Sequence, residues 1–206
     1  VLLVEKALLL VECFDEKILA NPKTVFLDPF CKAGEILLAT AIRVCLAKGK
    51  RLTTADLIAG EIYCGRYFAI SPDERHFLLS KRTFYVNERS HDHAFTKYIR
   101  NGNYVAEADG RLNEKKFIEE LNKMIEFIKD SNPDSEIVVA GNPPYQEADG
   151  GFGKSAKPVY QFFTESLMNN EKISQFALVI PSRWFAGGKG LDKFRDKIIN
   201  SGKVKS

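Results

Sequence analysis

The chain has 206 residues, 45% of them hydrophobic, enough to bury one sizeable core, and a net charge of +3 with a pI near 8.6. That mild basic bias is compatible with a polyanionic partner without identifying one. No apolar run reaches the roughly 18 residues of a membrane span, and residues 1–11, interrupted by Glu5 and Lys6, read as neither anchor nor signal peptide.

In chain order, residues 2–18 predict a helix with Leu3, Ala7, Leu10 and Phe14 on one face, broken by Asn21-Pro22. Residues 24–28 predict a strand, and after the loop 29–34 a helix runs over 35–48 and stops at Gly49. Thr53 and Thr54 offer caps for a shorter helix through Ile62, and 66–70 is the next strand. Ser71-Pro72-Asp73-Glu74 reads as a helix start with Ser71 as N-cap, the helix running to about Tyr85. A polar, irregular segment follows, with a short strand at 103–106, then a helix over 113–130 with Phe117, Ile118, Leu121, Ile125 and Ile128 on one face. Residues 137–140 predict a strand, 158–169 a helix, 176–180 a strand and 191–200 a last helix. Strands alternating with helices imply an α/β fold, a mostly parallel sheet covered on both faces, with ligands beyond the carboxyl ends of the strands.

Two strand ends carry the chemistry. The first is Ile137-Val-Val-Ala-Gly-Asn-Pro-Pro-Tyr145. The two prolines remove backbone donors, so the turn offers acceptors, the Asn142 side-chain oxygen and the Pro143 carbonyl, that suit the two hydrogens of an exocyclic amine. Tyr145 supplies a flat face for stacking. The same residues also fit a strand that ends at a Pro-Pro turn with Tyr145 capping a core. The second is Leu27-Asp-Pro-Phe-Cys-Lys-Ala-Gly34. A carboxylate at a strand end, a tight turn and a glycine at a helix start make a cradle for a nucleoside-type cofactor. With a single glycine it is not a dinucleotide fingerprint.

Together these stretches resemble the S-adenosylmethionine-dependent adenine-N6 DNA methyltransferases of restriction-modification systems, the Eco57I-like methylases. The resemblance spans most of the chain and extends to Gly150-Gly-Phe-Gly-Lys-Ser-Ala-Lys-Pro-Val-Tyr160 and Ile180-Pro-Ser-Arg-Trp184. It implies a Rossmann-like methyltransferase fold truncated at its C-terminus, residues 1–206 forming a partial catalytic domain with target recognition beyond 206. It implies S-adenosylmethionine as cofactor, double-stranded DNA with a flipped adenine as substrate, and a nuclease or specificity domain in the same system. Carried over by residue, Asn142 and the Pro143 carbonyl accept from the target amine and Tyr145 is the stacking platform. Asp28, Pro29, Phe30 and Gly34 form the cofactor loop. Many relatives hold the cofactor ribose with an acid at the second strand's end, where this chain has Phe68-Ala-Ile-Ser71. Asp73 lies just beyond but also serves the helix start. The acid expected near the third strand falls on Asp109, which equally fits a turn before Gly110.

Other patterns point elsewhere more weakly. Gly153-Lys154-Ser155 ends like a phosphate-binding loop, but Ala148 stands where its first glycine belongs. His91-Asp92-His93 lacks further ligands at sensible spacing, so no metal is expected. Pro133-Asp134-Ser-Glu136 has no lysine placed for a nuclease core. Trp184 fits either a core position or a DNA-facing rim. Cys13, Cys31, Cys45 and Cys64 show no C-x-x-C spacing and sit in apolar patterns, the expectation being buried, reduced thiols in a cytoplasmic protein. Alternative functions of the same turn are methylation of a protein glutamine or an RNA base, and, without catalysis, a DNA-specificity module that keeps the fold but binds no cofactor.

Overall fold

The computed structural model describes residues 2–50, 53, 55, 58–85, 98–105, 111–146, 158–188 and 190–204. Among them, strands β1 (Thr24–Asp28), β2 (Tyr67–Ser71), β3 (Ile99–Asn101), β4 (Glu136–Gly141) and β5 (Ile173–Leu178) form one sheet in the order β3-β2-β1-β4-β5. Every neighbouring pair is parallel, as expected for an α/β Rossmann-like methyltransferase fold. The helices are α1 (Leu2–Val11), α2 (Glu16–Ala20), α3 (Glu35–Ala47), α4 (Glu74–Tyr85), α5 (Glu114–Ser131), α6 (Tyr160–Met168) and α7 (Asp192–Asn200).

The period of two in each central strand splits the core in two. Phe26, Tyr67, Ala69, Val138 and Ala140 face the side covered by α1, α3 and α4. Val25, Leu27, Phe68, Ile70, Ile137 and Val139 face α5 and α6, whose Phe117, Leu121, Ile125, Ile128, Phe163 and Leu167 are buried against them. A third, smaller cluster joins α6 to α7 through Tyr160, Met168, Leu191, Phe194 and Ile198. A strand apolar on both faces has no solvated side, so the sheet must be a middle layer.

Several expectations are corrected. The single helix over 2–18 is two helices, because Asp15 turns the chain and its side chain accepts from the Lys17 N–H as the N-cap of α2. The short helix expected to end at Ile62 does end there, with Ala55 α-helical, but its last turn, Ile58–Ile62, is π-helical; Thr54 lies outside the described residues. Ser71 does not cap α4. It is the last residue of β2, its Oγ 3.2 Å from Ser80 Oγ, and Asp73 takes the cap, Oδ1 accepting from His76 N–H at 2.9 Å. The third strand, Ile99–Asn101, precedes 103–106: Gly102 N–H still donates to Ser71 O of β2, and Asn103 (φ 45°) then turns the chain away. β5 starts three residues before the predicted position because its pairing with β4 begins at Ile173 opposite Ile137, taking in the polar Ser174 and Gln175. Of the four free cysteines, Cys31 and Cys45 are buried, but Cys13 and Cys64 are exposed, in the turns after α1 and after the π-helix. No described helix is long and apolar enough to cross a membrane.

Candidate active site

β1 lies between β2 and β4, so the chain's path reverses direction across the sheet between β1 and β4. Their carboxyl ends flank the crevice where such sheets bind ligands. Asp28 ends one strand and Asn142 follows the other. Asp28 is 2% exposed, its Oδ1 accepts from Phe30 N–H at 3.0 Å, and no Lys or Arg among the described residues forms an ion pair with it. Burial raises its pKa to about 7, with Glu35 adding to the rise and the Phe30 N–H opposing it. Lys32 also opposes the rise, from beyond ion-pair distance; a buried carboxylate with no ion-pair partner among the described residues favours a cationic ligand.

The rest of the loop is pinned. Cys31 N–H donates to Ile70 O at 3.1 Å, extending the loop along β2, and Ala33 N–H donates to Glu35 Oε2 at 3.2 Å. Gly34 precedes α3 with φ +83°, and a Cβ there would sit 3.1 Å from Ser80 O, so both conformation and the approach of α4 require glycine. Tyr104, fully buried, donates its hydroxyl to Pro29 O at 2.8 Å. Phe30 is 2% exposed, stacked on Phe117 at 5.6 Å and edge-on to Phe163 at 5.0 Å. Its ring therefore belongs to the core beneath the loop, and only its backbone belongs to the loop itself.

Across the crevice, Gly141 brings the β4 backbone against that ring. A Cβ on Gly141 would stand 2.6 Å from Phe30 Cδ2 and 3.3 Å from Asp28 Oδ1, so the two stretches are in direct contact at their roots. Asn142 follows, its Oδ1 buried and without a hydrogen-bond partner among the described residues. Pro143 is buried and Pro144 half-buried, and neither has an N–H to offer. Leaving an acceptor buried and unpaired costs about 1–3 kcal/mol, which an arriving donor would recover. Tyr145 is 39% exposed, held by Val159 N–H donating to Tyr145 O at 3.1 Å. Burial raises its hydroxyl pKa, partly offset by the Asn142 side chain.

The loop with Asp28, Pro29, Phe30 and Gly34 and the turn with Asn142, Pro143 and Tyr145 thus follow adjacent strands at one end of the sheet, joined where Gly141 meets Phe30 and Asp28. Asp109, His91-Asp92-His93 and the Gly153-Lys154-Ser155 stretch lie outside the described residues. Asp73 is committed to α4, its Oδ2 2.6 Å from His76 Nδ1. No group of three or more His, Cys, Asp or Glu among the described residues could hold a metal ion. Sequence reasoning missed Tyr104 and the contact role of Gly141. Tyr104 carried no local signal, whereas the small residue between a strand and an Asn-Pro-Pro turn was a usable one.

Compared with known protein families, residues 66–206, about two thirds of the chain, match the Eco57I restriction-modification methylase. The match contains the Asn142–Tyr145 turn and begins downstream of the Asp28 loop. No curated protein and no solved structure matches.

Proposed function

Since the chain belongs to the Eco57I restriction-modification methylase family, a family of DNA methyltransferases, we propose that it methylates N6 of an adenine extruded from duplex DNA, using S-adenosylmethionine. The observation that carries this reading is the unpaired, buried Asn142 Oδ1 at the tip of β4, one residue after Gly141, which lies against the buried Asp28 carboxyl at the tip of β1.

The residues present suit both ligands. Asp28, the Pro29–Gly34 turn and the start of α3 would hold the cofactor, the carboxylate complementing a positive charge. When bound, S-adenosylmethionine supplies an electrophilic methyl group. The adenine amine is a poor nucleophile because its lone pair is delocalised into the ring. Asn142 Oδ1 and the Pro143 carbonyl each accept one of its hydrogens, favouring a more tetrahedral nitrogen and aiming the lone pair, so the chain works by orientation rather than by a strong base. Tyr145, partly exposed, stacks on the base that has left the duplex. The described chain is read as one catalytic unit, with sequence recognition assigned to another segment or subunit.

The test is transfer of labelled methyl groups from S-adenosylmethionine to duplex DNA by the full-length protein. Asn142→Ala is expected to lower the transfer rate about a hundredfold or more while cofactor still binds, the scale set by loss of one oriented hydrogen-bond partner. Undiminished transfer by that variant would refute the role.

A further inference from the structure

Beyond β5 the chain makes a single 3-10 turn, Ser182–Phe185, before α7. Phe185 is 65% exposed, yet its ring lies flat on Trp184, with centroids 4.0 Å apart and planes 23° from parallel. Trp184 is half-buried and meets Phe194 edge-on at 6.0 Å, and Phe194 meets Tyr160 in the same way at 6.0 Å. Tyr160 directly follows Val159, the residue bonded to Tyr145 O. A continuous line of rings therefore joins the exposed Phe185 to the turn that carries Asn142. Because β4 and β5 are parallel, with Gly141 opposite Leu178, both lie at the same end of the sheet.

Arg183 in the same turn is exposed and makes no ion pair among the described residues. Arg195 on neighbouring α7, by contrast, is occupied by Asp192 and Asp196. Arg183 is near enough to act on the buried Tyr160 hydroxyl. The turn presents a pre-ordered apolar face, immobilised from behind by a second ring, with a free cation two residues away. That pairing, flat π-surface plus guanidinium, suits a nucleobase and its phosphate.

We propose that Arg183, Trp184 and Phe185 form a nucleic-acid contact beside the site, Phe185 stacking on a base next to the extruded one and Arg183 meeting a phosphate. This rests on the reading of the protein as a DNA methyltransferase and adds the surface on which the strand lies. Binding of a fluorescently labelled duplex to the full-length protein, titrated over a salt series, tests it. Phe185→Ala is expected to weaken affinity about tenfold, in line with the loss of one base stack, and Phe185→Tyr to retain it. Arg183→Gln is expected to reduce the slope of log Kd against log salt by about one. Both should leave S-adenosylmethionine affinity unchanged, and Leu9→Ala on α1, 66% exposed, should leave DNA affinity unchanged. Wild-type affinity and slope in Phe185→Ala and Arg183→Gln, with DNA methylation intact, would overturn this proposal alone. So would a loss of self-association in place of DNA affinity, which would assign the patch to a second copy of the chain. A wild-type protein that neither binds nor methylates duplex DNA would overturn both this proposal and the functional reading.

Discussion

Phe30 lies against Gly141 so closely that the first side-chain carbon at position 141 would fall 2.6 Å from its ring. This contact joins the loop after β1 to the turn after β4, and it leaves no slack. The Phe30 ring is held between Phe117 and Phe163 and has nowhere to retreat. Gly141→Ala should therefore destabilise the fold by about 1–3 kcal/mol, the usual range for overpacking a core. It should also lower methyl transfer about a hundredfold by displacing Asn142. Urea denaturation and single-turnover kinetics measure the two effects separately.

Asp28 makes the protein less stable as it ionises. Its folded-state pKa of about 7 lies above the ordinary carboxylate value of 3.8 because burial disfavours the charge. The folded state thus holds this proton more tightly than the unfolded chain does. The resulting contribution is fully present below pH 4 and is lost as pH rises through about 7. Asp28→Asn, which keeps an acceptor for the Phe30 N–H, should stabilise the ligand-free protein at pH 8 by an amount on the order of 1–4 kcal/mol. The same variant should bind the cationic cofactor more weakly. Thermal melts at pH 5 and pH 8, with and without S-adenosylmethionine, would show a larger gain at pH 8 than at pH 5, and a pH-independent difference would contradict it.

Tyr104 steadies the cofactor loop from below through its 2.8 Å bond to Pro29 O. Tyr104→Phe keeps the ring against Phe117 but leaves that carbonyl unpaired, which should cost about 1–2 kcal/mol of stability. Because the hydroxyl acts on the loop after β1 and not on the turn after β4, KM for the cofactor should rise severalfold with kcat little changed. Steady-state kinetics with the cofactor varied would reveal this split, and an equal fall in kcat would speak against it.

At the opposite end of the sheet, Glu61 is fully buried, with Lys48 Nζ at 2.6 Å, the Tyr67 hydroxyl at 3.1 Å and Arg66 Nη1 at 3.8 Å. Removing it would leave Arg66, 8% exposed, buried with no other ion-pair partner among the described residues. Glu61→Ala should cost about 3–5 kcal/mol in chemical denaturation, and cofactor affinity in the fraction that remains folded should be unchanged.

Sequence alone carried the fold class, because strands apolar on both faces, alternating with amphipathic helices, leave few arrangements other than a covered parallel sheet. It also carried both strand-end motifs, since a carboxylate before a turn and an amide before two prolines are local chemistry. What failed locally were boundaries decided by partners. β5 is extended by its ladder with β4, and the cap of α4 passes to Asp73 because Ser71 is held in β2. Nor could local reading tell that Phe30 is a core ring pressed on Gly141, that Tyr104 reaches Pro29, or that Trp184 backs an exposed Phe185. Most of these contacts join residues far apart in the chain, and in the turn after β5 it is the distant packing of Phe194 and Tyr160 that sets the Trp184 ring. Chain periodicity reports which face of an element is buried; which side chain meets it is decided only when the layers close.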